Sequence, residues 1–308
     1  MGITSLSAGL RKILLMNVIG NVIFIYINLF VNLFIWEKNK QIGDLAWYHF
    51  ILYLSWVIIF ILSAHLLTKR SIRMLVVLAA ICGFAAFLVL QLAPFSDRPL
   101  MFISSFAVPC GFMFGFFYAA NNLSITQLSK DKEQFTHFMA LANIINHLVS
   151  MTVPLGSALI IEHFSYKGSF VLMLMIVGLL LAVSLGLPKI TLQGVFHLED
   201  ALYRRAAWVK LMANPPGVWL QLSFAAAGIF YMFQGLFVLV FTFSVTGSKL
   251  TIGLLNAGYM LAAAIANFIY RRTRGKEQVW MIVSILFIGA GFLISLFPAA
   301  FILILSIS

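Results

Sequence analysis

The sequence predicts an all-α polytopic membrane protein. Hydrophobic residues make up 62% of the 308 residues and charged residues only 9%, and the mean hydropathy is +1.04. A soluble domain of this length cannot bury so much apolar side-chain surface in one core. The apolar residues also form runs of about 20, which is the length that an α-helix needs to cross the hydrocarbon core of a membrane.

Nine apolar runs are long enough to span a membrane as helices. In order along the chain they are 13–36, 47–67, 74–92, 101–120, 140–161, 169–187, 219–241, 251–270 and 279–297. A partial tenth run, 299–308, begins after Pro298 and has ten residues before the sequence ends. Ten helical residues rise only about 15 Å, which is half of the hydrocarbon core. We therefore expect either a truncated product or a portion of a longer protein.

The basic residues predict the orientation of these spans. With the N-terminus placed inside, 15 of the 20 Lys and Arg residues fall in inside segments and 5 in outside loops. Such an excess is typical of cytoplasmic loops. The sequence thus predicts a multi-pass protein of the cytoplasmic membrane with its N-terminus in the cytoplasm. Because topology explains the net charge of +11, we expect the lipid bilayer and no nucleic acid as a partner.

The first span has four asparagines on one predicted face. Asn17, Asn21, Asn28 and Asn32 are spaced by four, seven and four residues, and at about 100° per helical residue they fall within an arc of about 60°. We call them the asparagine stripe. A buried amide loses its water and must find another partner, so the stripe is predicted to face protein or a water-filled cavity. Helix packing and substrate contact explain it equally well.

Two tight basic loops and one long segment divide the chain. The loops 68–73 and 271–276 lie inside and follow the second and the eighth span, which is weak internal symmetry of the kind found in transporters with two parallel halves. Segment 188–218 has the pattern of an amphipathic helix at the cytoplasmic interface. We therefore predict an N-terminal six-helix half at 1–187, a cytoplasmic linker at 188–218 and an incomplete C-terminal half at 219–308.

This organisation resembles the major facilitator superfamily. The basic loops stand at the positions of the family's best-known loops, and the fifth span contains Pro154-Leu155-Gly156 within a stretch of small residues. Segment 166–170, before the sixth span, is also similar. The resemblance implies a 6+6 architecture of twelve spans and transport by alternating access. It also implies a cavity at the membrane midplane, lined chiefly by helices one, four, seven and ten.

Polar residues near that cavity are the candidate substrate contacts. They are Asn21 and Asn28 on helix one, Asn146 on helix five, Tyr231 and Gln234 on helix seven, and Asn256 on helix eight. For any single one, packing between helices is the alternative, since such contacts contribute about 0.6 kcal/mol on average. The candidates for a conformational switch are the basic residues of the two tight loops, Lys69, Arg70, Arg73, Arg271, Arg272 and Arg274.

His147 lies well inside the fifth span and has two explanations. Histidine titrates near neutral pH, so this residue could relay a proton during transport. Alternatively, it is a neutral side chain that is hydrogen bonded to a neighbouring helix. The sequence does not identify a partner for it.

All nine acidic residues fall in loops or at span edges. This pattern argues against a cation substrate held by charge, because intramembrane carboxylates mark such pathways. A cavity rich in Phe, Asn and Met suits a small neutral or hydrophobic solute, as in an efflux carrier. No catalytic, metal-binding or phosphate-binding signature is present, so we expect neither an enzyme nor a cofactor. The open hypotheses are a secondary transporter, monomeric if full length, and a non-transporting fragment or membrane sensor on a transporter scaffold.

Overall fold

The computed structural model shows an all-helical arrangement in the part of the chain that it describes. That part comprises residues 6–92, 98–129, 131–191 and 239–272, with shorter stretches within 217–228 and 279–290. The helices are α1 (Ala8–Tyr26), α2 (Asn32–Asn39), α3 (Ile42–Lys69), α4 (Ile72–Leu92), α5 (Pro99–Leu128), α6 (Lys132–Leu185), α7 (Leu239–Thr246) and α8 (Lys249–Arg272). Five helices, with α1 and α2 taken as one, are long and apolar enough to cross a membrane. These features confirm the predicted all-α class and are compatible with a helical membrane protein.

The first membrane helix is continuous from Ala8 to Asn39 through a π-helical turn, Ile27–Val31. Its start is capped by the hydroxyl of Ser7, which accepts a hydrogen bond from a backbone N–H of the first turn. It ends at Lys40, which has a left-handed conformation with φ of 52°. Of its most apolar window, 67% is buried, the largest share among the five candidate spans. This helix therefore lies in the interior of the bundle.

The long helix α6 folds back on itself at Ser165, where φ is 61° and ψ is 179°. A straight helix would place Asn146 and Gly186 about 60 Å apart. Yet Asn146 accepts a hydrogen bond from Asn21, and the carbonyl oxygen of Gly186 accepts one from Lys12, only nine residues away on the first membrane helix. The two limbs of α6 are thus antiparallel. We call residues 132–164 the fifth span and residues 166–185 the sixth span.

Glycines allow a close contact between α3 and α5. A Cβ atom at Gly111 would lie 2.5 Å from the carbonyl oxygen of Leu52, and one at Gly115 would lie 2.8 Å from the side chain of Ile59. Small residues four apart let membrane helices approach closely. On the other side of α5, α4 packs between α5 and α6. These glycine contacts and the apolar faces around them thus bring α3, α4 and α5 together.

The helix α8 packs antiparallel to the fifth span. A Cβ atom at Gly253 would lie 3.0 Å from the carbonyl oxygen of Pro154, and Asn256 Nδ2 donates to the carbonyl oxygen of Ser150 at 3.0 Å. As residue numbers rise along α8, those of its contacts on the fifth span fall. The contact joins the region predicted as the N-terminal half to the region predicted as the C-terminal half.

The predicted spans in the described part agree with helices, although most helices are longer. The second predicted span, 47–67, becomes Ile42–Lys69, and the fourth, 101–120, becomes Pro99–Leu128. The connection between the fifth and sixth spans was predicted at 162–168, but in the structure only Ser165 has a non-helical conformation there. Most of the predicted linker 188–218 and the partial tenth run 299–308 lie outside the described residues.

Candidate functional site

Four asparagines form a hydrogen-bonded network that joins three helices. Asn17 Nδ2 donates to Asn121 Oδ1 at 3.3 Å, and Asn21 Nδ2 donates to Asn17 Oδ1 at 2.8 Å. Asn21 Nδ2 also donates to Asn146 Oδ1. We call these four residues the asparagine network. It ties the first membrane helix to α5 and to the fifth span.

Three amide atoms of the asparagine network form no hydrogen bond. Each amide has a nitrogen with two donors and an oxygen that accepts, and the two atoms are assigned from the hydrogen-bond pattern. In the described part of the chain, Asn121 Nδ2, Asn146 Nδ2 and Asn21 Oδ1 have no partner. None of these three atoms is completely buried. Each of these atoms therefore keeps some exposed surface, although Asn121 as a whole is only 6% exposed.

The π-helical turn separates the other two members of the asparagine stripe from the network. Asn28 is exposed, whereas Asn32 is only 1% exposed and donates to the carbonyl oxygen of Asn28 at 2.7 Å. A π turn holds more residues than an α turn, so it rotates the following positions away from the regular pattern. The stripe was predicted as one face, but the structure divides it: Asn17 and Asn21 contact other helices, and Asn28 faces open space.

Five aromatic rings from three helices stack in a row near the network. We call His49, Tyr53, Trp56, Tyr118 and Phe24, in that order, the aromatic ladder. The centroids of successive rings are 5.7, 5.8, 5.1 and 4.9 Å apart, and their planes are 21°, 20°, 16° and 12° from parallel. The first three rings come from α3, the fourth from α5 and the last from the first membrane helix.

The aromatic ladder was not predicted from the sequence. The second span was predicted to begin at residue 47, only two residues before His49, whereas α3 begins seven residues before His49, and His49 is 4% exposed. Within the described residues, neither ring nitrogen of His49 has a partner. One signal was present, because His49, Tyr53 and Trp56 are spaced by four and three residues and share a helix face. The rings from the other two helices required knowledge of helix packing.

The remaining candidate substrate contacts have different surroundings. Asn256 donates to Ser150 and therefore holds α8 against the fifth span. His147 is half-buried and has no hydrogen-bond partner in the described part. No contact therefore supports either the proton relay or the hydrogen bond to a neighbouring helix. Tyr231 and Gln234 lie outside the described residues.

The candidate switch residues of the first basic loop lie at a very short turn. The helix α3 ends at Lys69 and α4 begins at Ile72, whose N–H donates to the carbonyl oxygen of Ile190 at 2.8 Å. The turn is thus attached to the segment that follows the sixth span. In the first loop, Lys69 and Arg70 are exposed and Arg73 is half-buried. In the second loop, the backbone of Arg271 and Arg272 forms the end of α8, and Arg274 lies outside the described residues.

An ion pair joins the two predicted halves. Lys249 Nζ lies 2.9 Å from Glu37 Oε1 and 4.8 Å from the ring centroid of Tyr166. Lys249 begins α8, Glu37 lies near the end of the first membrane helix, and Tyr166 begins the sixth span. These three elements therefore meet at one end of the bundle.

Comparison with known proteins identifies no family. No family model matches the chain, and no curated protein matches it. Among the described residues, no group of three or more His, Cys, Asp or Glu side chains is placed to hold a metal ion. The candidate site is therefore defined by the asparagine network and the aromatic ladder beside it.

Proposed function

We propose that this protein is a secondary transporter of the major facilitator type in the cytoplasmic membrane. In this proposal it moves a small neutral or hydrophobic solute by alternating access, with the N-terminus in the cytoplasm. The asparagine network supports the proposal most strongly, because it combines partly exposed, unpaired amide donors and acceptors with contacts between three helices.

The chemistry of the network suits a neutral solute. Amides have no net charge and offer donors and acceptors at the same place. In the described part, no ionic side chain is hydrogen bonded to the network. A solute with hydroxyl or amide groups would exchange hydrogen bonds with Asn21, Asn121 and Asn146 as it leaves water, so its polar groups would stay paired.

The contacts between the predicted halves support a rocking movement. In the proposed cycle the halves pivot about the contact between α8 and the fifth span. The Lys249–Glu37 ion pair and the Tyr166 contact then hold the halves together at the outer end. Breaking this pair would open the cavity to the outside.

The alternative is a membrane sensor or another non-transporting protein on the same scaffold. The observation that favours it is the mutual pairing of the amides, since Asn21 uses its nitrogen for both Asn17 and Asn146. Such pairing also suits three helices that are held in one arrangement. In that case the network stabilises the bundle and no solute crosses it.

Counterflow into proteoliposomes tests the proposal, with radiolabelled sorbitol, adenosine and cortisol as neutral probes. The wild type is expected to accumulate at least one of them. Asn21→Ala should lower the initial rate about tenfold, which corresponds to about 1.4 kcal/mol, because Asn21 makes two of the network's bonds.

The matched control is Asn143→Ala, which removes an exposed amide from the same limb of α6. It should leave the rate unchanged. If folded wild type accumulates none of the three solutes, the sensor alternative replaces the transporter. If Asn21→Ala transports as fast as the wild type, the assignment of the site to the network is wrong.

A further inference from the structure

The aromatic ladder lies next to the asparagine network on two helices. On the first membrane helix, Phe24 follows Asn21 by three residues, so both side chains lie on the same face. On α5, Tyr118 precedes Asn121 by three residues. The Phe24–Tyr118 stack, with ring centroids 4.9 Å apart, therefore lies one helical turn from Asn121 and two turns from Asn17, which are bonded to each other.

One edge of the ladder is covered by other rings. Phe114 on α5 packs edge-to-face against Phe24 and against Trp56, with centroids 4.5 and 5.2 Å apart. The faces of Tyr118 are covered as well, because Phe24 stacks on one and Trp56 on the other. Phe117 also packs edge-to-face against Phe24 and Tyr118, with centroids 4.9 and 5.8 Å apart, so the ladder is open only along the edge formed by Tyr53, Trp56 and Tyr118.

The remaining edge of the ladder has polar groups that are not hydrogen bonded. Tyr53 is 36% exposed, and Trp56 and Tyr118 are half-buried. Within the described residues, no partner is found for the hydroxyl groups of the two tyrosines or for Trp56 Nε1, and neither the Tyr118 hydroxyl nor Trp56 Nε1 is fully buried. At the end of the row, both ring nitrogens of His49 are buried and unpaired, although such groups are normally satisfied.

We propose that the open edge of the aromatic ladder and the asparagine network together bind a planar, uncharged aromatic solute with hydrogen-bonding groups. The inference rests on the proposed function and names the substrate class of the same site. The edge of an aromatic ring is electropositive and its face electronegative. The face of an aromatic solute is therefore attracted to the row of ring edges, while its polar groups bond to Tyr118, Trp56 and the network amides.

The same geometry excludes organic cations. A cation is attracted to the face of an aromatic ring, and the inner faces of the ladder are covered by neighbouring rings. The edges that remain open repel positive charge. No carboxylate contacts the ladder rings among the described residues, so no opposite charge there stabilises a cation.

Equilibrium dialysis of the purified full chain tests this inference without any transport step. The probes are radiolabelled adenosine as the planar neutral aromatic, sorbitol as a neutral solute without a ring, and tetraphenylphosphonium as an aromatic cation. We expect adenosine to bind with a dissociation constant of about 1 mM or tighter. Sorbitol and tetraphenylphosphonium should bind at least about tenfold more weakly.

Variants identify the ladder as the binding site. Tyr118→Leu removes a central ring and should weaken adenosine binding about fivefold, while Tyr118→Phe keeps the ring and should lose only the contribution of the hydroxyl. Phe60→Leu removes a partly exposed ring on α3 that is outside the ladder, and it should bind adenosine as the wild type does. Tyr118→Phe keeps the test informative if Tyr118→Leu does not fold.

The outcomes separate this inference from the transport proposal. If adenosine does not bind, or if Tyr118→Leu and Phe60→Leu bind it equally, the ladder is a packing feature, even when sorbitol or cortisol is transported. Tighter binding of tetraphenylphosphonium than of adenosine would also overturn the inference. If adenosine binds with the expected variant pattern but no solute is transported, the site stands and the transporter proposal fails.

Discussion

Asn17 has the central position in the asparagine network. It donates to Asn121 and accepts from Asn21, and it is 8% exposed. A hydrogen bond between membrane helices contributes modestly to stability, on average about 0.6 kcal/mol. Loss of a partner costs more when the remaining buried group is left unpaired. Asn17 therefore contributes mainly to helix packing, as does the equally buried Asn121, whereas the half-buried Asn21 and Asn146 keep part of their amides exposed.

Replacement of Asn17 should destabilise the protein. Asn17→Ala removes both of its bonds, so we expect the free energy of unfolding in detergent to fall by about 1 kcal/mol. Asn122→Ala, which removes an exposed amide one residue from Asn121 on α5, should change it by less than about 0.5 kcal/mol. Equal unfolding free energies for the two variants would show that the network does not hold the helices together.

At the scale of single residues, the sequence predicted which way some side chains face but not what they contact. The spacing of Asn17 and Asn21 predicted that both side chains face protein, because the positions that share a helix face can be read from local sequence. Their bonds to Asn121 and Asn146 depend on which helices are neighbours. The π-helical turn that separates Asn28 from the network has no local sequence signal comparable to proline.

The contact between α3 and α5 is the element-scale feature on which the aromatic ladder depends. It brings the α3 rings next to Tyr118, and it is possible because Gly111 and Gly115 have no side chains. At Gly111 the nearest atoms belong to the backbone of Leu52 and the side chain of Ser55. A backbone neighbour cannot move aside as a flexible side chain can, so this position tolerates little added volume.

Gly111→Ala should therefore separate α3 from α5. We expect a loss of about 1–3 kcal/mol in unfolding free energy, together with a change in the fluorescence of Trp56 as its stacking on Tyr118 is disturbed. Gly156→Ala is the matched control, because a Cβ atom there meets nothing within 4 Å. An unfolding free energy for Gly111→Ala as high as that of Gly156→Ala would mean that the helices are not in close contact.

Helices were the most predictable elements, because each apolar run has the length that a membrane span requires. Their ends were less predictable. The reversal at Ser165 was expected as a loop of several residues, yet one residue with an unusual conformation suffices. Such a conformation is rare outside glycine, so the sequence gives no reason to expect it at a serine.

At the scale of the whole molecule, two contacts between the predicted halves stand out among the described residues. One is the contact of α8 with the fifth span, and the other is the ion pair between Lys249 and Glu37. Both involve the described part of the region 219–308. Hydropathy predicts the number of apolar runs but not which runs pack together, so these contacts could not be read from sequence.

The central claim is that the polar face of the first membrane helix borders a water-accessible path. Cysteine labelling in membranes tests it directly, in a background with Cys82→Ala and Cys110→Ala. Asn28→Cys introduces a thiol at an exposed position that should border the path. The control is Ile81→Cys, at a position on α4 that is 53% exposed and should face lipid. A membrane-impermeant thiol reagent should modify the cysteine at position 28 and not the one at position 81. Failure to modify either, or equal modification of both, would contradict the claim.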